Sequence, residues 1–176
     1  NGYRWDEFNP YVFLSEDYGA TWKDISSNLP TSSVNVIKED PKNENVLYLG
    51  TDNSVYVSLN KGESWEAFSN GLPNVAFHDL VLQPEANDLV LGTHGRSIYI
   101  ADISLVQNIN ENEFTIAAVE SLPFSQRWGS SWSQWGEAYE PSISIQFYNP
   151  KAEKVSLIIQ NKEGTILQEY SIDSVK

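Results

Sequence analysis

Apolar positions along this chain come in short runs, each bounded by Gly, Pro, Asn, Asp or Ser. Tyr11-Val12-Phe13-Leu14, Val34-Asn35-Val36-Ile37, Leu47-Tyr48-Leu49-Gly50-Thr51, Ser54-Val55-Tyr56-Val57, Leu89-Val90-Leu91 and Ser97-Ile98-Tyr99-Ile100 are rich in β-branched and aromatic side chains. None is long enough for an amphipathic helix, so the pattern predicts short strands joined by tight turns. The fullest unit is Val34–Ser69. Within it strand A is about Val34–Lys38, a polar turn covers Asp40–Asn45, strand B is Val46–Gly50, Asp52-Asn53 turns, strand C is Val55–Ser58 and strand D is Ser64–Phe68.

The flanks repeat this pattern in part. Tyr11–Ser15 and Thr21–Ile25 read as strands C and D of an incomplete unit. Ala76–Leu82, Leu89–Gly92 and Ile98–Ala101 read as A, B and C of a third, and Phe114–Val119 is its expected D strand. The connector Ser104–Glu113 has room for a helical turn. Leu29-Pro30 realigns with Leu72-Pro73, Asp40-Pro41 with Gln83-Pro84 and Ser54–Val57 with Ser97–Ile100, each at an offset of 43. A four-strand unit of that size is a propeller blade.

Two turns share a stricter pattern. Ser15-Glu16-Asp17-Tyr18-Gly19-Ala20-Thr21-Trp22 and Ser58-Leu59-Asn60-Lys61-Gly62-Glu63-Ser64-Trp65 both read Ser-x-(Asp/Asn)-x-Gly-x-(Thr/Ser)-Trp. Asp17 or Asn60 can accept hydrogen bonds from turn N–H groups. Gly19 or Gly62 supplies a positive φ. Trp22 or Trp65 opens the return strand, and both are expected to be buried between strands or blades. In the third unit Ala101-Asp102-Ile103 stands where Ser58-Leu59-Asn60 stood, so the motif is lost there.

These turns resemble the Asp-box, or BNR repeat, of sialidase-like and sortilin-like β-propellers. Gly2-Tyr3-Arg4-Trp5-Asp6, His78-Asp79-Leu80-Val81, Asn87-Asp88-Leu89 and Gly92-Thr93-His94-Gly95-Arg96 extend the likeness. It is to the closing blades of bacterial propellers labelled glycosyl hydrolase with BNR repeats, or sortilin-like. Ser142–Ile172 resembles the Ig-like module that follows such propellers. The resemblance implies an all-β fold: a partial propeller of about two to three four-stranded blades over residues 1–120, then a Trp-rich linker over 121–141. A small, incomplete Ig-like β-sandwich segment over 142–176 completes it, with Asn161-Lys162-Glu163-Gly164 as its hairpin turn. It also implies export, to a secreted, periplasmic or cell-surface location. The hydrolase half of the label finds little here. Sialidases use an arginine triad with a Tyr/Glu pair and an acid Asp, and the arginines of this chain are Arg4, Arg96 and Arg127.

Charge and composition then narrow the partners. The net charge is -13 over 176 residues, so nothing supplies the basic footprint that phosphate binding needs and nucleic acid is not a partner. Cysteine is absent, which removes disulfides and thiol chemistry. No apolar run reaches membrane-spanning length. No signal peptide and no Met are present, and the chain reads as part of a longer exported protein. Two or three blades leave both flanks open, so its expected partners are the remaining blades of the same polypeptide or a second copy.

Blade topology places the A-strand starts and the B–C turns on one face and the Asp-boxes on the other. Trp5, Asp52, His78, Asp79, His94 and Arg96 fall on the first face and are the ligand-binding candidates. One reading makes His78, Asp79, His94 and Arg96 a polar site for a glycan or a peptide. The other, which we favour, makes them loop ties, with Asp79 accepting from Arg96 and His94 bonding a turn carbonyl. Two His without regular ligand spacing make a weak argument for zinc, and no metal or cofactor is expected. Trp128, Trp132, Trp135 and Tyr139 suit sugar stacking, but the favoured reading buries them as linker anchors between propeller and sandwich. No catalytic residue is assigned. The expected function is non-catalytic recognition or scaffolding, with a glycan or peptide ligand. The alternative is a piece of a sialidase- or xyloglucanase-like hydrolase whose carboxylates lie mostly in other blades, and a third reading is a sortilin-like peptide receptor.

Overall fold

The computed structural model describes residues 5–119, 121–131, 134–151 and 153–173. Tyr3, Arg4 and Trp132, singled out above, lie outside the described residues. The chain divides into two compact units, 1–112 and 113–176.

The first unit is three antiparallel sheets in sequence. The first sheet pairs β1 (Phe13–Leu14) with β2 (Lys23–Asp24). The central sheet is a meander of β3 (Val34–Glu39), β4 (Leu47–Thr51), β5 (Val55–Ser58) and β6 (Glu66–Ala67). The third holds β7 (Phe77–Gln83), β8 (Asp88–Thr93) and β9 (Ile98–Asp102). A helical turn, α1 (Ser104–Gln107), follows β9. The fourth strand expected for the third sheet is not Phe114–Val119. That stretch gives β10 (Thr115–Ile116), which pairs in the second unit with β11 (Phe147–Tyr148). A stacked contact between the Phe114 and Phe147 rings accompanies the pairing.

Strand β4 explains why the central sheet forms. All five of its residues are buried. Successive side chains point to opposite faces, so Tyr48 joins Val46, Phe77, Leu80 and Leu91 in one cluster while Leu47 and Leu49 join Val12, Ile25 and Trp65 in the other. The central sheet is thus a slab with a core on each side. Gly50 is required where this slab meets β7. A Cβ there would stand 3.0 Å from the Phe77 carbonyl oxygen and 2.9 Å from Val36 Cγ1.

The two repeated turns are closed by their own side chains. In the first, Asp17 Oδ1 accepts from Ser15 Oγ and from the Thr21 N–H, Asp17 Oδ2 accepts from Thr21 Oγ1 at 2.6 Å, and the Gly19 N–H donates to Ser15 Oγ. In the second, Asn60 Oδ1 accepts from Ser58 Oγ and the Ser64 N–H, and the Gly62 N–H donates to Ser58 Oγ. One bond reverses polarity: Asn60 Nδ2 donates to Ser64 Oγ, where Thr21 donates to Asp17. Tyr18 and Lys61 both adopt φ 55, and Gly19 and Gly62 follow at 90 and 84.

The two tryptophans behave differently. Trp65 is 3% exposed. Its indole N–H donates to the Ile25 carbonyl, its backbone N–H donates to Asn28 Oδ1, and its carbonyl accepts from Asn28 Nδ2. Gly62 presses on Ile25 so closely that a Cβ would stand 2.7 Å from Ile25 Cδ1. Trp22, expected to be buried, is 64% exposed. Trp65 is covered by the sheet before its own, and no sheet precedes the first among the described residues.

The second unit contains the β10–β11 pair and a hairpin of β12 (Val155–Gln160) and β13 (Ile166–Ile172). Asn161 Oδ1 caps the hairpin turn by accepting from the Glu163 and Thr165 N–H groups, and Gly164 sits at φ 83. Ile159, Ile166, Leu167 and Tyr170 are exposed, and no described residue of this unit is fully buried. In the Trp-rich stretch, the Gly129 N–H donates to the Tyr139 carbonyl and the Tyr139 N–H to Ser130, closing a loop. None of its described rings is fully buried. Trp135 is 88% exposed and Tyr139 59%, while Trp128 is half-buried and makes an edge contact with Phe124.

Two outcomes follow for the first unit. Trp65→Ala removes a buried indole and orphans Ile25 O, at a cost of about 3–5 kcal/mol, whereas Trp22→Ala shifts this chain's stability by about 0.5 kcal/mol or less. Urea unfolding of the two variants, showing equal losses, would contradict the assignment. Asp17 gives the second. Thr21 Oγ1 first, then the Thr21 N–H and Ser15, hold its carboxyl down at about 2 from an ordinary 3.8. The stabilisation from this turn is complete above the ordinary value and is lost as pH falls through about 2. Carboxyl-carbon NMR should place the Asp17 midpoint there, and Thr21→Val should raise it.

Candidate functional site

The face opposite the repeated turns is built by bulges. In the central sheet the register passes from Val34↔Thr51 to Val36↔Gly50, which leaves Asn35 as the extra residue. In the third sheet it passes from Phe77↔Thr93 to Asp79↔Gly92, which leaves His78 in the same role. A bulge bends its strand and re-aims the extra side chain. Each bulge faces the turn between the next two strands. The Asp52 N–H donates to the Ser33 carbonyl, and the His94 N–H donates to Ala76 in the equivalent place. Asn35 and Asp52 are therefore the counterparts of His78 and His94.

The two pairs differ in chemistry. Asn35 Nδ2 donates to Asp52 Oδ1 at 2.9 Å, so Asp52 is held within its own sheet. His78 and His94 meet edge to face, with ring centroids 5.4 Å apart and planes at 81°. Both are exposed. The turn carrying His94 is also one residue longer than its counterpart, with Gly95 at φ 75 and Ser97 at φ 79. Thr93 Oγ1 closes it on the Ser97 carbonyl, as Thr51 Oγ1 closes the shorter turn on Ser54. Arg96 sits at its exposed tip.

The remaining candidates are placed as follows. Asp79 Oδ1 accepts from the Leu80 N–H and does not pair with Arg96; the one ion pair among the described residues is Lys61–Glu44. The His94 main chain, not its ring, bonds a carbonyl. Trp5 lies in a short turn ahead of β1 and is 85% exposed, with no hydrogen bond or ring contact to the histidines among the described residues. The structure thus brings His78 and His94 together, keeps Asp79 and Arg96 on the same bulge and turn, ties Asp52 to Asn35 and leaves Trp5 apart.

On the other face lies a cleft of about 550 Å³ between the second repeated turn and the segment after α1. Asn45, Asn60, Lys61, Asn110, Glu111 and Asn112 line it. Asn60 Nδ2 donates to Glu111 Oε2, and the Lys61 N–H donates to the Asn45 carbonyl. Sequence reading missed this wall. Its signal was the Asn- and Glu-rich run from Asn108 to Glu113. Among the described residues no helix is long and apolar enough to cross a membrane.

The all-β architecture of small antiparallel sheets is compatible with a propeller. Comparison with curated proteins and with solved structures found no match. The profile of the Sortilin-Vps10 family, described as sortilin, neurotensin receptor 3, matches residues 10–171, nearly the whole chain and both of its units. The chain therefore belongs to the Sortilin-Vps10 family, a match that suggests a propeller-type receptor or binding module.

Proposed function

We propose that this chain is the recognition part of a larger exported propeller protein, binding a polar ligand on the face that carries His78, Asp79, His94 and Arg96. The observation that carries this reading is the contrast between the two equivalent pairs. Asn35 and Asp52 satisfy each other, whereas the His78 and His94 rings stand exposed beside Asp79 and the tip residue Arg96. Exposed, unpaired polar groups on loops held by a rigid sheet are what a binding face needs. A family described by a receptor favours binding over glycoside hydrolysis, and a peptide over a glycan. The repeated turns serve the fold as Asp-boxes.

The open flanks give the second half of the proposal. Tyr11, Phe13 and Trp22 are exposed on the first sheet, and Ile98 and Ile100 are 67% and 68% exposed on edge strand β9. The remaining blades of the same polypeptide, or a second copy, cover these surfaces. The hairpin β12–β13, with apolar residues exposed on it, is part of an Ig-like module whose facing sheet is not formed by the described residues.

The test is a peptide library and a glycan array probed with the full chain. Bound peptides should lose at least about tenfold in affinity to the double variant His94→Ala, Arg96→Ala. They should bind normally to Asp17→Asn, which alters only a turn. Peptide binding unchanged in the double variant would reduce these residues to loop ties, and selective glycan binding would overturn the choice of ligand.

A further inference from the structure

We propose that His78 and His94 form a two-imidazole chelate for a divalent cation of the zinc type. Two imidazoles on one tetrahedral zinc, with Zn–N bonds near 2.0–2.1 Å, hold their ring centroids about 5 Å apart. The His78 and His94 centroids lie 5.4 Å apart with the rings nearly perpendicular, a separation that one metal held between them can span. Both residues are anchored through the backbone. His78 is the bulge residue of β7, and the His94 N–H is held by Ala76.

The internal repeat offers a comparison at the equivalent position. There it carries Asn35 and Asp52, joined directly by a hydrogen bond. In the third sheet the same geometry carries two borderline nitrogen ligands, the kind that suits zinc, copper or nickel. Each ring is exposed, so the metal has access. The net charge of -13 draws cations to the surface; Asp79 beside His78 adds to that attraction, and Arg96 in the same turn as His94 opposes it. No group of three His, Cys, Asp or Glu suited to a metal exists among the described residues. The remaining coordination positions are therefore open to water or to a carboxylate of a bound molecule. The chelate does not rest on the recognition reading, since two imidazoles at this spacing hold a metal whether or not the face also binds a peptide.

The test is calorimetric titration of the full chain with zinc chloride, with magnesium chloride as the hard-ion control. One equivalent of zinc should bind saturably and magnesium should not. His78→Ala and His94→Ala should each abolish the saturable heat; both rings are exposed, so neither change reaches the core. Acidification should release the metal, because a ligating imidazole must be unprotonated. Copper(II) should broaden the ring-proton resonances of both histidines together. Absence of saturable zinc binding, or binding that survives either single substitution, would overturn the chelate without touching the peptide result.

Discussion

Trp65 and Asn28 make the contact on which the first unit depends. The Asn28 amide accepts from the Trp65 N–H and donates to the Trp65 carbonyl, each at 2.8 Å, so one side chain satisfies both backbone groups of another sheet's residue. The indole N–H reaches the Ile25 carbonyl, and Gly62 gives Ile25 room. A two-stranded sheet is marginal alone, and a larger sheet needs a covered apolar face. The sheets gain that cover here by stacking: the central sheet buries β4 on both sides and so needs a neighbour on each. The indole N–H is buried with its ring and is paired, as a buried donor requires.

A second tie joins the central sheet to the chain beyond the third. Asp40 is 2% exposed, and its carboxylate accepts from the Tyr48 hydroxyl, the Gln107 amide and the Lys42 and Asn43 N–H groups. Gln107 lies at the end of α1, and its carbonyl accepts from Asn43 Nδ2. Burial, followed by the Asp40 charge, pushes the Tyr48 hydroxyl far above its ordinary range, so it remains a donor at any physiological pH. One carboxylate thus collects donors from a turn, a strand and a helix. That links strand order in the central sheet to the path of the chain after β9, along which the wall of the 550 Å³ cleft is laid down.

Much of this was legible from spacing. The 43-residue offset located the strands of the central and third sheets and the turn at Asp52-Asn53, because repeats carry their turn chemistry with them, and the connector after β9 had room for its helical turn. What escaped were features set by a neighbour rather than by local pattern. Phe114–Val119 has strand character, but pairing decides where a strand goes, and its partner lay at Phe147–Tyr148. Trp22 and Trp65 share a motif and differ only in whether a sheet lies against them. The carboxylate of Asp40 reads as a turn residue because Asp-Pro marks a turn; its burial depends on Gln107, 67 positions away. The two histidines could be put on one face, but a bulge is invisible in the pattern, and only the bulge re-aims His78 toward His94.

Comparison of the repeats with one another separates structure from function more sharply than either copy alone. Asp17 became Asn60 in the second turn, and the ring of hydrogen bonds survived with one bond reversed. That is substitution under a structural constraint: the donors and acceptors are still consumed within the turn, and the extra Asn60 bond reaches another segment of the same unit. Asn35 and Asp52 became His78 and His94, and there the internal bond was not kept. The backbone scaffold around the pair stayed the same, from the bulge to the carbonyl that anchors the turn, and the turn gained a residue that carries Arg96 to its tip. A scaffold conserved between copies, with its side-chain hydrogen bond replaced by exposed ionisable groups, stabilises nothing further by that change. The physical consequence is a sheet-held platform presenting two imidazoles and a guanidinium to solvent, on the face that we propose binds the ligand.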